Sequence, residues 1–145
     1  MTKPIFILNG PNLNRLGKRE PEIYGTTTLV EVEAMCREAA GDQPVRFHQS
    51  NFEGDLVNWI HEAIDEGAGI IINPAALTFT SIAILDALKM FPGPVIELHI
   101  SNIHRREAYY HHSFVSQVAT GVIVGLGPNG YAVAVRAIVG LMNDV

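Results

Sequence analysis

The sequence predicts an α/β protein built on a five-stranded parallel sheet with helices on both faces. Two observations carry that prediction. Five short β-branched or apolar runs alternate along the chain with stretches of helical periodicity. Regular βα alternation implies parallel strands joined by right-handed crossovers. Runs such as Ile70-Ile71-Ile72 are also continuously apolar, as strands covered on both faces require.

Each element has its own signal. Pro4–Asn9 (PIFILN) reads as the first strand, and a polar loop follows it. Thr28 is placed to cap a helix over Leu29–Ala40, with Glu31 at the third helical position completing a capping box and Gly41 ending it. Val45–Gln49 (VRFHQ) is the second strand. The helix Asp55–Glu66 carries Leu56, Trp59, Ile60, Ala63 and Ile64 at helical spacing and stops at Gly67. Gly69–Asn73 is the third strand. Thr80 or Ser81 opens a helix over Ile82–Phe91, closed by Pro92-Gly93-Pro94. Val95–Ile100 and Gly121–Gly125 supply the last two strands, and Tyr131–Met142 the last helix. Five strands in 145 residues point to the doubly wound, flavodoxin-like order, which places ligands beyond the carboxyl ends of its strands. With neither repeat nor linker, residues 1–145 read as one domain.

Composition narrows the function classes. The net charge is −5 and charged residues make up 17%, below the roughly 25% usual for soluble domains. That shortage fits a compact monomer or a protein that covers part of its surface with other copies. An acidic balance argues against a nucleic-acid footprint, which needs clustered Lys and Arg. Without a run of about 18 apolar residues, no transmembrane helix is expected. The chain enters an apolar strand within a few residues of Met1, too soon for a signal peptide. Cys36 is the single cysteine and sits in a helical stretch, so a cytoplasmic protein without disulfides is expected.

Candidate chemistry gathers at three strand ends. The first strand runs into about fifteen residues of loop, NGPNLNRLGKREPEIYG, well beyond the two to six usual for such a connection. A loop of this kind, over residues 10–25, suits a lid. It carries Tyr24, and a tyrosine serves as a base at neutral pH only where nearby cations favour the phenolate. Arg15 and Arg19 are placed in sequence to do so, although the spacing fits equally a solvated loop whose Tyr24 only packs. The third strand ends in Asn73-Pro74, a turn that can aim an amide into the cleft, and Thr80 or Ser81 opens a helix whose N-terminus can hold an anion, although spacing alone slightly favours Asn-Pro as only a turn and Thr80 as only a cap. The fourth strand carries Glu97, His99 and Ser101 two residues apart, hence on one face. A carboxylate beside an imidazole fixes its tautomer and suits it to general acid work. An ionisable pair inside a covered sheet is costly unless it functions.

Other features carry less. Gly125-Leu126-Gly127-Pro128-Asn129-Gly130 has dinucleotide-like spacing but follows the last strand, so it reads as a turn and not a nicotinamide site. His104, His111 and His112 lack the companions a metal site needs. None of Lys3, Lys18 and Lys89 lies at a strand end, leaving imine chemistry without an obvious residue.

Taken together, NGPNLNRLGKREPEIYG, QSNFEGDLVNWIHEA, INPAALTFTS, IELHISNIHRRE and HHSFVSQVATGVIVGLGPNGY strongly resemble type II 3-dehydroquinate dehydratase over essentially the whole chain. The resemblance implies a flavodoxin-like subunit that assembles into trimers and then a dodecamer. It implies conversion of 3-dehydroquinate to 3-dehydroshikimate in the shikimate or quinate pathway, by anti elimination through an enolate, with no cofactor, metal or imine. By position, Tyr24 becomes the base at C2, with Arg19 keeping it ionised and closing the lid. Asn12 holds a water against the enolate oxygen, and His99, oriented by Glu97, protonates the departing C1 hydroxyl. Asn73, Ser101 and the backbone amide of Ile100 hold the C1 hydroxyl and carboxylate.

Two positions depart from the family pattern. Phe79 stands where the LTHTS motif usually has histidine, and Tyr110 where HAREEFRHHS usually has arginine; Arg106 matches. In the family the two positions contact ring hydroxyls together with an aspartate from a neighbouring subunit, here Asp86. The resemblance thus leaves two outcomes: an ordinary dehydratase, or a relative with altered hydroxyl recognition that acts on a related cyclic β-hydroxy ketone or only binds a small polyol acid.

Overall fold

The structure, a computed structural model, describes residues 2–18 and 20–143. Its strands are β1 (Ile5–Asn9), β2 (Val45–Gln49), β3 (Gly69–Asn73), β4 (Val95–His99) and β5 (Gly121–Val124). Its helices are α1 (Pro21–Tyr24), α2 (Leu29–Ala40), α3 (Glu53–Glu66), α4 (Ile82–Lys89) and α5 (Asn129–Asn143). The sheet order is β2-β1-β3-β4-β5, and every pairing is parallel. This is the flavodoxin-like arrangement the alternating pattern predicts.

Strand periodicity divides the core. Ile5, Ile7, Ile71, Ile96 and Leu98 face α2 and α5, where they meet Val32, Cys36, Tyr131, Ala134, Val135 and Ile138. The alternate residues Phe6, Leu8, Ile70, Ile72 and Val95 face α3 and α4, against Leu56, Ile60, Ala63, Ile84 and Leu88. Successive side chains point to opposite faces, so the continuous Ile70-Ile71-Ile72 run feeds both layers. Cys36 belongs to this core, and burial pushes its thiol up to about 12.

The caps are mostly as the sequence predicts. Thr28 Oγ1 accepts from the Glu31 amide, and the Glu31 carboxylate accepts in return from the Thr28 amide, a complete capping box. Other boundaries shift by two residues. Helix α3 begins at Glu53, behind a Ser50–Asp55 hydrogen bond of 2.5 Å whose serine also accepts from the Phe52 amide. Helix α4 ends at Lys89, because Met90 and Phe91 tighten to i→i−3 bonds ahead of Pro92. Among the described residues, no helix is long and apolar enough to cross a membrane.

Strand order reverses between β1 and β3, and that crevice is where such folds place ligands. The two loops leaving it are bound together: the Gly10 amide donates to the Asn73 carbonyl at 2.8 Å. A Cβ at Gly10 would stand 2.4 Å from the Pro74 oxygen, so only glycine permits this approach. Residues 10–25 are not structureless. Leu13 and Leu16 are buried against the α2/α5 layer, Leu13–Arg15 form a 3₁₀ turn, and Pro21 opens the single-turn α1, which ends at Tyr24.

Candidate active site

A cleft lies at the carboxyl ends of the strands, where folds of this order place their ligands. Tyr24, Asn12, Asn73, Phe79, His99, Ile100, Ser101 and Tyr110 all line it, as does Arg106. Residues from five separate segments therefore converge. Of the other predicted site residues, Glu97 lies directly behind His99, Asp86 is exposed on α4 away from this cleft, and Arg19 falls outside the described residues.

The acid–carboxylate pair is the most buried part. Glu97 and His99 share the face of β4 that also carries Val95, and His99 Nε2 lies 2.5 Å from Glu97 Oε2. Glu97 is fully buried and His99 is 4% exposed. Three hydroxyls surround the carboxylate: Ser116 at 2.5 Å, Ser113 at 2.9 Å and Thr78 at 3.4 Å. Burial disfavours the charge on Glu97. The bond from His99, followed by those from Ser116 and Ser113, outweighs burial and holds the carboxyl below its ordinary value. With Nε2 committed to Glu97, Nδ1 is the ring nitrogen left to the cleft.

Among the described residues, the cation beside Tyr24 is Arg106. Arg15 is exposed and does not line the cleft. Instead Arg106 Nη1 donates to Tyr24 Oη at 3.0 Å. The same guanidinium lies 4.0 Å over the ring of Tyr110, a cation–π contact that fixes its position. Burial would lower the Arg106 pKa, but the bond to Tyr24 and the charges of Tyr24, Tyr110 and Glu107 raise it above its ordinary value. A permanent positive charge therefore faces the phenol oxygen.

The remaining polar groups are held from below. Asn12 adopts the left-handed conformation, φ 73°, and its amide donates to Asn51 Oδ1 at 2.9 Å. Asn73 Nδ2 donates to Tyr131 Oη at 2.9 Å, and Tyr131 in turn donates to Asn9 Oδ1 at 2.7 Å. Asn73 Oδ1 accepts from the Ala75 amide. The Asn73 side chain is thus locked, and its second Nδ2 proton is the one that can serve a ligand. Ala75 has φ 54°, the kind of backbone strain that collects at binding sites.

At the start of α4 the structure favours the plain cap over an anion site in the cleft. Ser81 accepts from the Ile84 amide at 2.9 Å, and neither Thr80 nor Ser81 lines the cleft. Among the described residues, the cation on the phenol is Arg106 and not Arg15. Gly125 and Gly127 form the expected turn, with φ 84° and 64°, and donate to the carbonyls of His99 and Ile100. Sequence reasoning did not find the hydroxyls of Thr78, Ser113 and Ser116, nor Tyr131. The i, i+3 serines of the HHSFVS stretch were the available signal for two of them.

Comparison with known proteins agrees with this geometry. A model of the family "Dehydroquinase class II" matches residues 3–139. The chain is 61% identical to 3-dehydroquinate dehydratase 2 of Agrobacterium fabrum, with 94% of this chain and 95% of that one covered. It is 58% identical to 3-dehydroquinate dehydratase of Cereibacter sphaeroides, with 97% of each covered. The crystal structure of type II dehydroquinase from Propionibacterium acnes superposes with a TM-score of 0.91 at 46% identity, covering 97% of this chain and 98% of that one. With a tyrosine facing a guanidinium, an imidazole locked on a buried carboxylate, and near-complete sequence coverage, the chain belongs to the class II dehydroquinase family.

Proposed function

We propose that this protein is a lyase that dehydrates 3-dehydroquinate to 3-dehydroshikimate in the shikimate or quinate pathway. The observation that carries the reading is one cleft holding both a tyrosine beside a fixed cation and an imidazole on a buried carboxylate. An elimination needs such a base and acid. Tyr24 takes the proton from C2, next to the ketone, and the electron pair moves into an enolate. His99 then gives its proton to the C1 hydroxyl, the C1–O bond breaks, and water leaves as the C1=C2 double bond forms. Stabilising the enolate oxygen is the main electrostatic demand, met here by a water held on Asn12. Glu97 orients His99. Asn73, Ser101 and the Ile100 amide hold the C1 hydroxyl and carboxylate. Arg19 closes residues 10–25 as a lid over the bound ring and adds positive charge near Tyr24.

In this reading the reaction needs no cofactor. Turnover of 3-dehydroquinate by the purified chain, seen as growth of a conjugated enone absorbance, tests it.

The same reading includes assembly into trimers and a dodecamer, with Asp86 of one subunit serving a neighbour's cleft. The exposed positions of Asp86, Val30 and Phe52 support it. A solution mass near the 15.8 kDa of one chain would contradict it. The buried, unpaired Cys36 fits a cytoplasmic location.

A further inference from the structure

Among the described residues, Glu97 is the one fully buried carboxylate, and its surroundings are unusual. Its register partners are Ile72 and Val122, both apolar. Among the described residues, no lysine or arginine is a hydrogen-bond partner of Glu97; besides His99, its partners are three hydroxyls. A carboxylate in such a place, given only an imidazole, favours the neutral pair, with the shared proton on the carboxyl. That state would leave His99 unable to act as the cationic acid.

The hydroxyls come from a segment pinned for the purpose. Ser113 and Ser116 flank Val115, which is fully buried in the α3/α4 layer. The Phe114 amide donates to the Thr78 carbonyl at 2.8 Å, and the Ser116 amide to Ser113 Oγ at 3.2 Å. Thr78 and Ser113 hydroxyls lie 2.6 Å apart, closer than Thr78 is to Glu97. The economical assignment of protons is therefore Thr78 to Ser113, Ser113 to Glu97 Oε2, and Ser116 to Glu97 Oε1. Each carboxylate oxygen then accepts from a hydroxyl, and Oε2 also from His99.

We propose that Ser116 and Ser113 are positioning residues that hold Glu97 as the anionic partner of His99, and thereby keep His99 competent as the acid. This rests on the reading of His99 as the group that protonates the leaving hydroxyl. Neither serine lines the cleft, and both donate to Glu97, so the proposed route to the substrate runs through Glu97 and His99.

The test is Ser116→Ala and Ser113→Ala, with Ser116→Thr as the variant that keeps a hydroxyl. For each alanine variant, kcat falls about tenfold at neutral pH, the acidic limb of its pH profile moves up by about one unit, and KM stays within about twofold. Ser116→Thr restores the wild-type profile. Independently of turnover, the Glu97 carboxyl carbon, followed by ¹³C NMR, titrates at higher pH in the alanine variants than in the wild type. A lowered melting temperature with an unmoved pH profile and an unmoved Glu97 titration overturns the proposal and leaves the serines purely structural. If the wild-type chain does not turn over 3-dehydroquinate, the functional reading fails instead, and the carboxyl titration still decides whether the serines hold Glu97 ionised.

Discussion

Tyr24→Phe is expected to lower kcat about a thousandfold or more, since a positioned general base contributes roughly 10²–10⁴. The substitution removes one oxygen atom. It leaves the aromatic ring at the end of α1, so the segment keeps its packing. Among the described residues, the lost interaction is the 3.0 Å bond from Arg106, which in this half-exposed position costs about 1 kcal/mol of stability. Arg106 stays anchored over Tyr110 at 4.0 Å. The variant should therefore bind substrate with KM within a few-fold of wild type, melt within a few degrees of it, and still fail in turnover. Activity retained within tenfold would mean that another group takes the C2 proton.

The second large effect concerns the two departures from the family pattern. Phe79 and Tyr110 form one wall of the cleft, edge to face at 5.2 Å with an interplanar angle of 81°. Phe79 also lies nearly parallel to His99, 6.2 Å between centroids. An aromatic wall offers a ring hydroxyl only the phenol oxygen of Tyr110, where a histidine and an arginine would offer several donors. Sites that hydrogen-bond hydroxyls discriminate strongly because an unmatched polar partner is penalised. Phe79→His combined with Tyr110→Arg should lower KM for 3-dehydroquinate about tenfold, corresponding to ~1.4 kcal/mol, with little change in kcat. The wild-type wall should correspondingly tolerate an analogue lacking the C4 or C5 hydroxyl better than the double variant does. An unchanged KM would show that Tyr110, Arg106 or a neighbouring subunit already satisfies the diol. Tyr110→Phe separates the first of these, because it removes the hydroxyl and keeps the wall.

What could be read from the sequence was what is local in the chain. The capping box of α2 depends on Thr28 and Glu31, three residues apart, and it formed as expected. Glu97 and His99 are two residues apart on a strand, so strand geometry alone puts them on one face, and they are in contact. The strand ends were legible because parallel order follows from βα alternation. The contacts that complete the site are between distant segments. Arg106 reaches Tyr24 across 82 positions, and Tyr131 reaches Asn73 across 58 and Asn9 across 122. Charge proximity in sequence pointed to Arg15 and Arg19; Arg19 lies outside the described residues, and Arg15 is exposed and does not line the cleft, while Leu13 and Leu16 hold its 3₁₀ turn down. At the start of α4 the sequence left an anion site and a plain cap both open, and the Ser81 hydroxyl caps the Ile84 amide. No local pattern records which hydroxyls surround Glu97, because they arrive from the segments that follow β3 and precede β5.

The most direct measurement of the central claim is a progress curve for the purified wild-type chain with 3-dehydroquinate, followed by ultraviolet absorbance of the conjugated enone. The account predicts a rate proportional to protein concentration and saturable in substrate, present before any cofactor is added. No absorbance rise at high protein concentration, with the chain folded by circular dichroism, would contradict it.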